Sequence, residues 1–481
     1  MAWSEPVRPD TSATGGAREF LRKPRPVGRA ETTNDQSGVG PQSPSISASS
    51  VSSGWTSRTR ERGIRGVYCG IDWSENHHDV ALVDQEGKLL VHRRIPDSAT
   101  GLRELLELLA EHGDTPDAMV PVAIETGRGL LVSCLAATGR DVVVINPMAA
   151  ARYRERTTVA RSKSDAMDAL MLANVLRTDR HAHRSLPRDS ELVRAVAVLA
   201  RAGQDATWQR QQAANQLRSI LREYFPAAVT AFHVKHIGLA SPEARTILAA
   251  APTPAAAARL TRTRLRSLLL RSGRTRNLDR WIERLHSIFR ADVMRHSPAV
   301  EDAYGHAALA ALKRLDAAVI AANDLHQATT KVFEQHPQAA IITSFPGVGS
   351  RTGARILAEL GDDPDRFQDA RALKAYAGAA PVTRASGKAR LVLHRRVKND
   401  RLAAAGYNWA FAALTHSPGA RQHYDRRRAR GERHAAALRN LYNRFLGQLY
   451  HCLATGRPYD EHRAFPDSPE QSAKNAARVA A

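Results

Sequence analysis

Between residues 67 and 96, apolar runs alternate with short polar breaks, first in VYCGIDWSENHHDVALVD and then in EGKLLVHRRI. Short runs rich in Val, Ile and Leu, split by turn residues, predict three successive strands, the second turn falling at Gln85, Glu86 and Gly87. The period then changes. In SATGLRELLELLAEHG the leucines at 102, 105, 106 and 109 return on one helical face, and Ser98 is placed to cap it. PVAIE and DVVVIN read as two further strands with a helix over about 129–138 between them, and helical sequence resumes at Met148. Three meandering strands followed by strands alternating with helices predict a mixed α/β sheet covered by helices.

That order of elements is the order of the RNase H-like architecture. From about 187 to 335 the periodicity is almost wholly helical, with long amphipathic stretches such as SELVRAVAVLARAGQDATWQRQQAANQLRSILREYF and AYGHAALAALKRLDAAVIAANDLHQATTKVFEQH. Their length and regularity predict an antiparallel coiled coil or bundle. The expected organisation is a disordered tail over 1–66, an α/β unit over 67–186, a helical spacer over 187–338, a helical C-terminal unit over 339–455 and a flexible tail over 456–481. The N-terminal tail is expected because SGVGPQSPSISASSVSSG has no periodicity able to bury a face.

Composition narrows the function classes. The 481 residues carry 70 Lys and Arg against 48 Asp and Glu, a formal charge of +22. A polyanion is the leading partner for such an excess, because Lys and Arg neutralise phosphates and release their counterions. Between Arg366 and Gly447 alone, 18 Lys and Arg face 4 Asp and Glu, so most of the charge sits in the third unit. With ten Phe, ten Tyr and six Trp, cores must be built mainly from Leu, Val, Ile and Ala, which favours helices. Cys69, Cys134 and Cys452 lie far apart, which argues against a zinc site or a disulfide framework and points to a reducing cytosol. No apolar run reaches the length of a membrane span, so the expected location is cytoplasmic and nucleoid-associated, with no membrane partner.

Four acids of the first unit stand out. Asp72 ends the first strand in GIDWS, Glu125 ends a later strand in VAIETG, and Asp165 and Asp168 in SKSDAMDALMLA share one helix face at i, i+3 spacing. If the strands are neighbours and the helix covers their ends, the four converge. Such a cluster of hard oxygen donors suits Mg²⁺ or Mn²⁺, and two ions about 4 Å apart can hold a phosphate while activating one oxygen and stabilising another. Singly, each acid is also readable as a cap or a solvated charge, and Asp165 as a helix-dipole acid. His77, His78 and Asp79 are assigned a surface role, and Glu155 a place on a helix surface.

In the basic unit, SFPGVGSRTGARILAEL has the shape of a helix-hairpin-helix turn, with Gly347 and Gly349 permitting a tight backbone and a helix beginning near Arg351. Backbone amides at such a start can hold a phosphate, although a turn between two packed helices has the same shape. Further on, GAAPVTRASGKARLVLHRRVKNDRL places Ser386 in a loop among Arg384, Lys388 and Arg390, followed by Arg395, Arg396 and Lys398 as further nucleic-acid contacts. A serine hydroxyl needs a base, a metal or strong electrostatic help to act as a nucleophile, and a Ser-Gly-Lys loop is more often a plain turn.

The segments GIDWSENHHD, AIETG, KSDAMDA, FPGVGSRTGARILAELGD, YAGAAPVTRASGK and RHAAALRNLYNR together resemble the DEDD transposases of bacterial insertion-sequence family one-ten, relatives of the Piv-type DNA invertases. The resemblance covers roughly Val67 to Leu453. It implies that Asp72, Glu125, Asp165 and Asp168 form a RuvC-like metal site for Mg²⁺ or Mn²⁺ and that Ser386 is the catalytic serine. It also implies donor and target DNA as substrates, a noncoding guide RNA from the element's own end, and work as a multimer, dimer or tetramer, with composite active sites. Two other readings stay open on the residues themselves: a RuvC-like nuclease that cuts with metal-activated water, and a non-catalytic nucleic-acid-binding assembly factor.

Overall fold

The computed structural model describes residues 66–157, 164–233, 238–387 and 389–466. The tail expected over 1–66, apart from Gly66, lies outside them, as do Lys388 and the part of the C-terminal tail beyond residue 466.

Strands β1 (Tyr68–Trp73), β2 (His77–Val83) and β3 (Leu89–Pro96) form the expected antiparallel meander. Helix α1 (Ala99–Glu111) follows, capped by Ser98, whose side chain accepts from the Gly101 amide. Then come β4 (Val122–Ile124), α2 (Leu130–Ala137), β5 (Val142–Val144), α3 (Pro147–Thr157), α4 (Asp165–Asp179) and β6 (Arg184–Ser185). The sheet order is β3-β2-β1-β4-β5-β6, with β1, β4 and β5 parallel: a mixed, RNase H-like sheet.

Alternation along the strands sends side chains to two apolar layers. Cys69, Ile71, Val80 and Leu82 pack with Leu105, Leu108 and Leu109 of α1 and with Leu131 and Leu135 of α2. Ala123 and Val143 face the other way, onto Ala150 of α3 and Met171, Leu172, Val175 and Leu176 of α4. The acids lie on this second face.

The long helices predicted beyond residue 187 are α5 (Glu191–Tyr224) and, after five shorter helices, α11 (Pro298–Phe333). They run antiparallel: Thr207 Oγ1 meets His326 Nε2 at 3.1 Å, while Tyr224 stacks on Tyr304 further along. Between them α6 (Pro226–Phe232), α7 (Pro242–Ala250), α8 (Pro254–Ala258), α9 (Arg262–Arg271) and α10 (Leu278–Arg290) close an apolar cluster over the α6 end of α5.

The rest comprises α12 (Ala339–Thr343), α13 (Ser350–Leu360), α14 (Ala370–Tyr376), a hairpin of β7 (Val382–Ser386) and β8 (Ala389–Leu393), α15 (Asp400–Ala413), α16 (Pro418–Ala429), α17 (His434–Thr455) and α18 (Glu461–Ala464). Its core centres on Trp409 and Phe445, stacked at 5.0 Å, with Phe345 edge-on to both. Val193, Val196 and Ala200 of α5 and Phe333 of α11 enter the same core. The region is thus largely helical as expected, with the hairpin as an addition. No helix among the described residues is long and apolar enough to cross a membrane.

Candidate active site

Ile71 pairs with Ile124 across the parallel β1 and β4, so the next residues, Asp72 and Glu125, emerge side by side at the strands' C-terminal ends. What brings α4 to them is Gly70. A Cβ at that position would stand 2.1 Å from the Ala169 carbonyl oxygen and 2.3 Å from the Ala173 nitrogen, so the helix backbone rests directly on the strand. The first turn of α4, capped by Ser164 through the Met167 amide, thereby carries Asp165 and Asp168 to the same edge.

The electrostatics follow from this convergence. The Asp72 carboxyl is pushed up to about 6, first by burial and then by the charges of Asp168, Glu125, Asp165 and Asp79. Asp168 is buried and accepts from Arg154 Nη2 of α3 at 2.5 Å, whereas Asp165 is exposed.

Asp79 is a fifth carboxylate, directly opposite Asp72 in the β1–β2 register. The surface role expected for Asp79 and His78 does not hold, since each is only 1% exposed. The reason is that β2 lies inside the sheet between β3 and β1, and both of its faces are covered. Asp79 accepts from His92 Nε2 at 2.9 Å and from Arg94 Nε and Nη2 at 3.1 and 2.9 Å, and His78 Nε2 meets Asp97 at 3.2 Å. Arg94 also reaches Asp165 at 3.5 Å. Potential ligand atoms of His77, Asp79 and Asp165 lie within 4.8 Å of one another, and the buried His77 Nε2 has no hydrogen bond. The sequence signal for this group was the His-x-Asp alternation of a strand, which puts residues 77 and 79 on one face. Glu155 is exposed on α3, as expected.

An all-oxygen set of converging carboxylates, one of them lifted by burial and then by its neighbours' charge, is chemically suited to a hard divalent cation such as Mg²⁺ or Mn²⁺. Asp79 is the least available donor, because Arg94 and His92 already occupy its oxygens.

Ser386 lies not in an irregular loop but at the end of β7, paired with Ala389 across a tight turn in which Gly387 has φ 54°. Ser386, Arg384 and Arg390 are exposed. Among the described residues no hydrogen bond or ion pair joins this hairpin to the acids. Arg396 is exposed, Arg395 donates to the Ala380 carbonyl at 3.4 Å, and Lys398 pairs with Asp400 at 2.7 Å. In the turn before α13, Gly347 has φ 75° and packs against the backbone at Ala412 and Ala413, while Gly349, at the N-cap, faces open space. Arg351 is exposed on the first turn of α13, where Ser350 donates to Glu334 at 2.9 Å.

Residues 69–226 match a transposase family model of the DEDD type, and residues 339–425 match one described as the transposase IS116/IS110/IS902 family. The chain is 60% identical to a mini-circle putative transposase for IS117 of Streptomyces coelicolor, over 83% of its own length and 96% of that protein's. It is 29% identical to an uncharacterized protein of insertion element IS110 from the same organism, over 82% and 96% of the two lengths. To an uncharacterized protein of insertion element IS900 from Mycobacterium paratuberculosis it is 27% identical, over 80% and 95%. With an RNase H-like acid cluster in front and a basic, largely helical region behind, the chain belongs to the IS110 family of transposases, enzymes of phosphoryl transfer.

Proposed function

We propose that this transposase cuts and rejoins DNA through a covalent phosphoserine at Ser386, with Asp72, Glu125, Asp165 and Asp168 holding the scissile phosphate through Mg²⁺ or Mn²⁺. The observation that carries the reading is the convergence of Asp72, Glu125, Asp165 and Asp168 at one edge of the sheet, where burial first and then the neighbouring carboxylates push the Asp72 carboxyl up to about 6. Such crowding of carboxylates favours binding of a cation and, with it, of a phosphate. When bound, the divalent ion supplies charge neutralisation at the phosphate and lowers the pKa of a nearby hydroxyl.

The Ser386 oxygen attacks phosphorus, the bond to the 3′ oxygen breaks, and the DNA 5′ phosphate becomes esterified to the serine. The serine gives up one proton and the departing 3′ oxygen takes one up. A 3′ hydroxyl of the exchanging strand then displaces Ser386, so the ester is conserved rather than lost to water. Arg384 and Arg390 flank Ser386 and offset the charge of the transition state, with Lys388, Arg395, Arg396 and Lys398 continuing the basic track along the DNA. The turn at Gly347 and Gly349, with Arg351, adds a backbone phosphate contact.

The site is composite, with the acids of one protomer acting beside the serine of another in a dimer or tetramer. Residues 67–186 then act as the metal unit, 187–338 as the assembly spacer and 339–455 as the serine unit, with a noncoding guide RNA selecting the DNA.

The test is a denaturing gel of the full chain incubated with labelled element-junction DNA and Mg²⁺. A protein–DNA adduct that forms with the parent and disappears with Ser386→Ala is expected. If Ser386→Ala cuts and rejoins like the parent, the serine mechanism is wrong and the water-attack nuclease takes its place.

A further inference from the structure

The rim of the acid cluster carries an exposed apolar surface that the metal chemistry does not use. Trp73 follows Asp72 at the end of β1, so strand alternation turns its indole away from α4 and toward the N-terminus of α2. There a Cβ at Gly129 would stand 4.0 Å from Trp73 Nε1. His78, opposite Trp73 in the β1–β2 register, stacks on it with ring centroids 6.4 Å apart and planes inclined by 27°, and is itself fixed by Asp97 at 3.2 Å. The indole is held in place, yet it stays 44% exposed. Leu130, the first residue of α2, is 79% exposed.

Both apolar groups belong to the segments that carry the acids. Trp73 is the residue next to Asp72, with Cα atoms about 3.8 Å apart, and Leu130 closes the TGRGL turn that follows Glu125. In that turn Arg128 is exposed and has no carboxylate partner among the described residues. A nucleobase hangs from the sugar beside its phosphate. A phosphate held at the acids therefore brings a neighbouring base to the indole once that base has left its own stack. Aromatic faces accept such bases with little regard to sequence, because every base has a π-face, and a cation beside them takes the backbone.

We propose that Trp73 and Leu130 form the seat of one unstacked DNA base beside the scissile phosphate, the base lying on the indole and Arg128 meeting the adjoining phosphate. A base seated there holds the strand in register and so fixes which phosphate stands at the acids. The inference rests on the reading that the acids hold a DNA phosphate through a divalent ion. Its assay reads binding alone, so its failure leaves the Ser386 adduct test untouched.

The experiment measures fluorescence anisotropy of the full chain with a single-stranded thymidine oligomer and with an abasic oligomer of the same length, which keeps the phosphates and lacks the bases. Both are titrated in Mg²⁺ and in chelator, at two salt concentrations. In Mg²⁺, Trp73→Ala is expected to lose about tenfold in affinity for the thymidine oligomer and none for the abasic one. The loss should shrink in chelator, where no ion holds the phosphate at the acids. Trp73→Phe should keep most of the affinity, which separates stacking from a folding defect, and Leu130→Ala should act like Trp73→Ala but more weakly. Arg128→Gln is expected to weaken both oligomers and to reduce the salt slope by about 0.7. Trp208→Ala, which removes an exposed indole on α5, is the control. A Trp73→Ala variant that binds thymidine like the parent, loses both oligomers equally, loses as much in chelator or matches Trp208→Ala overturns the proposal. If Mg²⁺ tightens the parent's binding in that case, only the base seat is lost; if Mg²⁺ tightens neither oligomer, the metal reading is lost with it.

Discussion

Arg154 of α3 donates from Nη2 to Asp168 Oδ1 at 2.5 Å, which puts a guanidinium within the acid cluster of the transposase. Asp168 is buried, so an unpaired charge there would be costly, and Arg154 compensates it. A divalent ion at Asp168 has to compete with this pair. Arg154→Ala is therefore expected to lower the melting temperature in chelator and to tighten Mn²⁺ binding several-fold, as measured by calorimetric titration. Weaker Mn²⁺ binding in the variant would contradict the competition.

The raised Asp72 carboxyl makes stability depend on pH. Its folded value of about 6 lies above the ordinary 3.8, so the folded chain holds an extra proton between those values and loses stability as pH rises through that window. Asp72→Asn removes the penalty. In chelator it should melt a few degrees above the parent beyond about pH 6 and level with it below about pH 4, and added Mg²⁺ should raise the parent more than the variant. Thermal melts across pH, with and without Mg²⁺, check both.

Gly70 sets the distance between α4 and β1. Because the new methyl would meet backbone atoms rather than a movable side chain, Gly70→Ala should destabilise the chain by about 2–3 kcal/mol or more. Urea unfolding measures this, and a Cys69→Ser control separates the effect from ordinary changes in the strand.

Arg201 of α5 holds the buried Glu359 of α13 with two hydrogen bonds, 2.8 and 3.1 Å long, and Asn399 adds a third at 2.7 Å. Arg201→Ala leaves that carboxylate short of its cation, at a cost of about 2–3 kcal/mol given the partial exposure of the arginine. The double variant Arg201→Met with Glu359→Leu should recover most of the loss. Denaturant midpoints of the parent and the two variants decide it.

Much of this molecule was legible in local pattern. The strands from Tyr68 to Pro96, the Ser98 cap, the long helices α5 and α11 and the i, i+3 pair Asp165 and Asp168 all follow from periods of two or 3.6 residues and from cap chemistry. The hairpin that presents Ser386 was not, because GAAPVTRASGKARLVLH carries turn residues and cations in place of a buried apolar alternation, and its strands are exposed.

The residues by themselves determined the kind of each main element, the charge excess that selects a polyanion, and which acids were able to share a site. The tertiary structure alone decided that Asp79 is buried beside Asp72, that Arg94 and Arg154 balance the acids, and that Gly70 brings α4 against β1. The physical reason is range: a period reports which face a residue takes, whereas burial of a charge and its pairing depend on atoms brought close only when the sheet and its covering helices have packed.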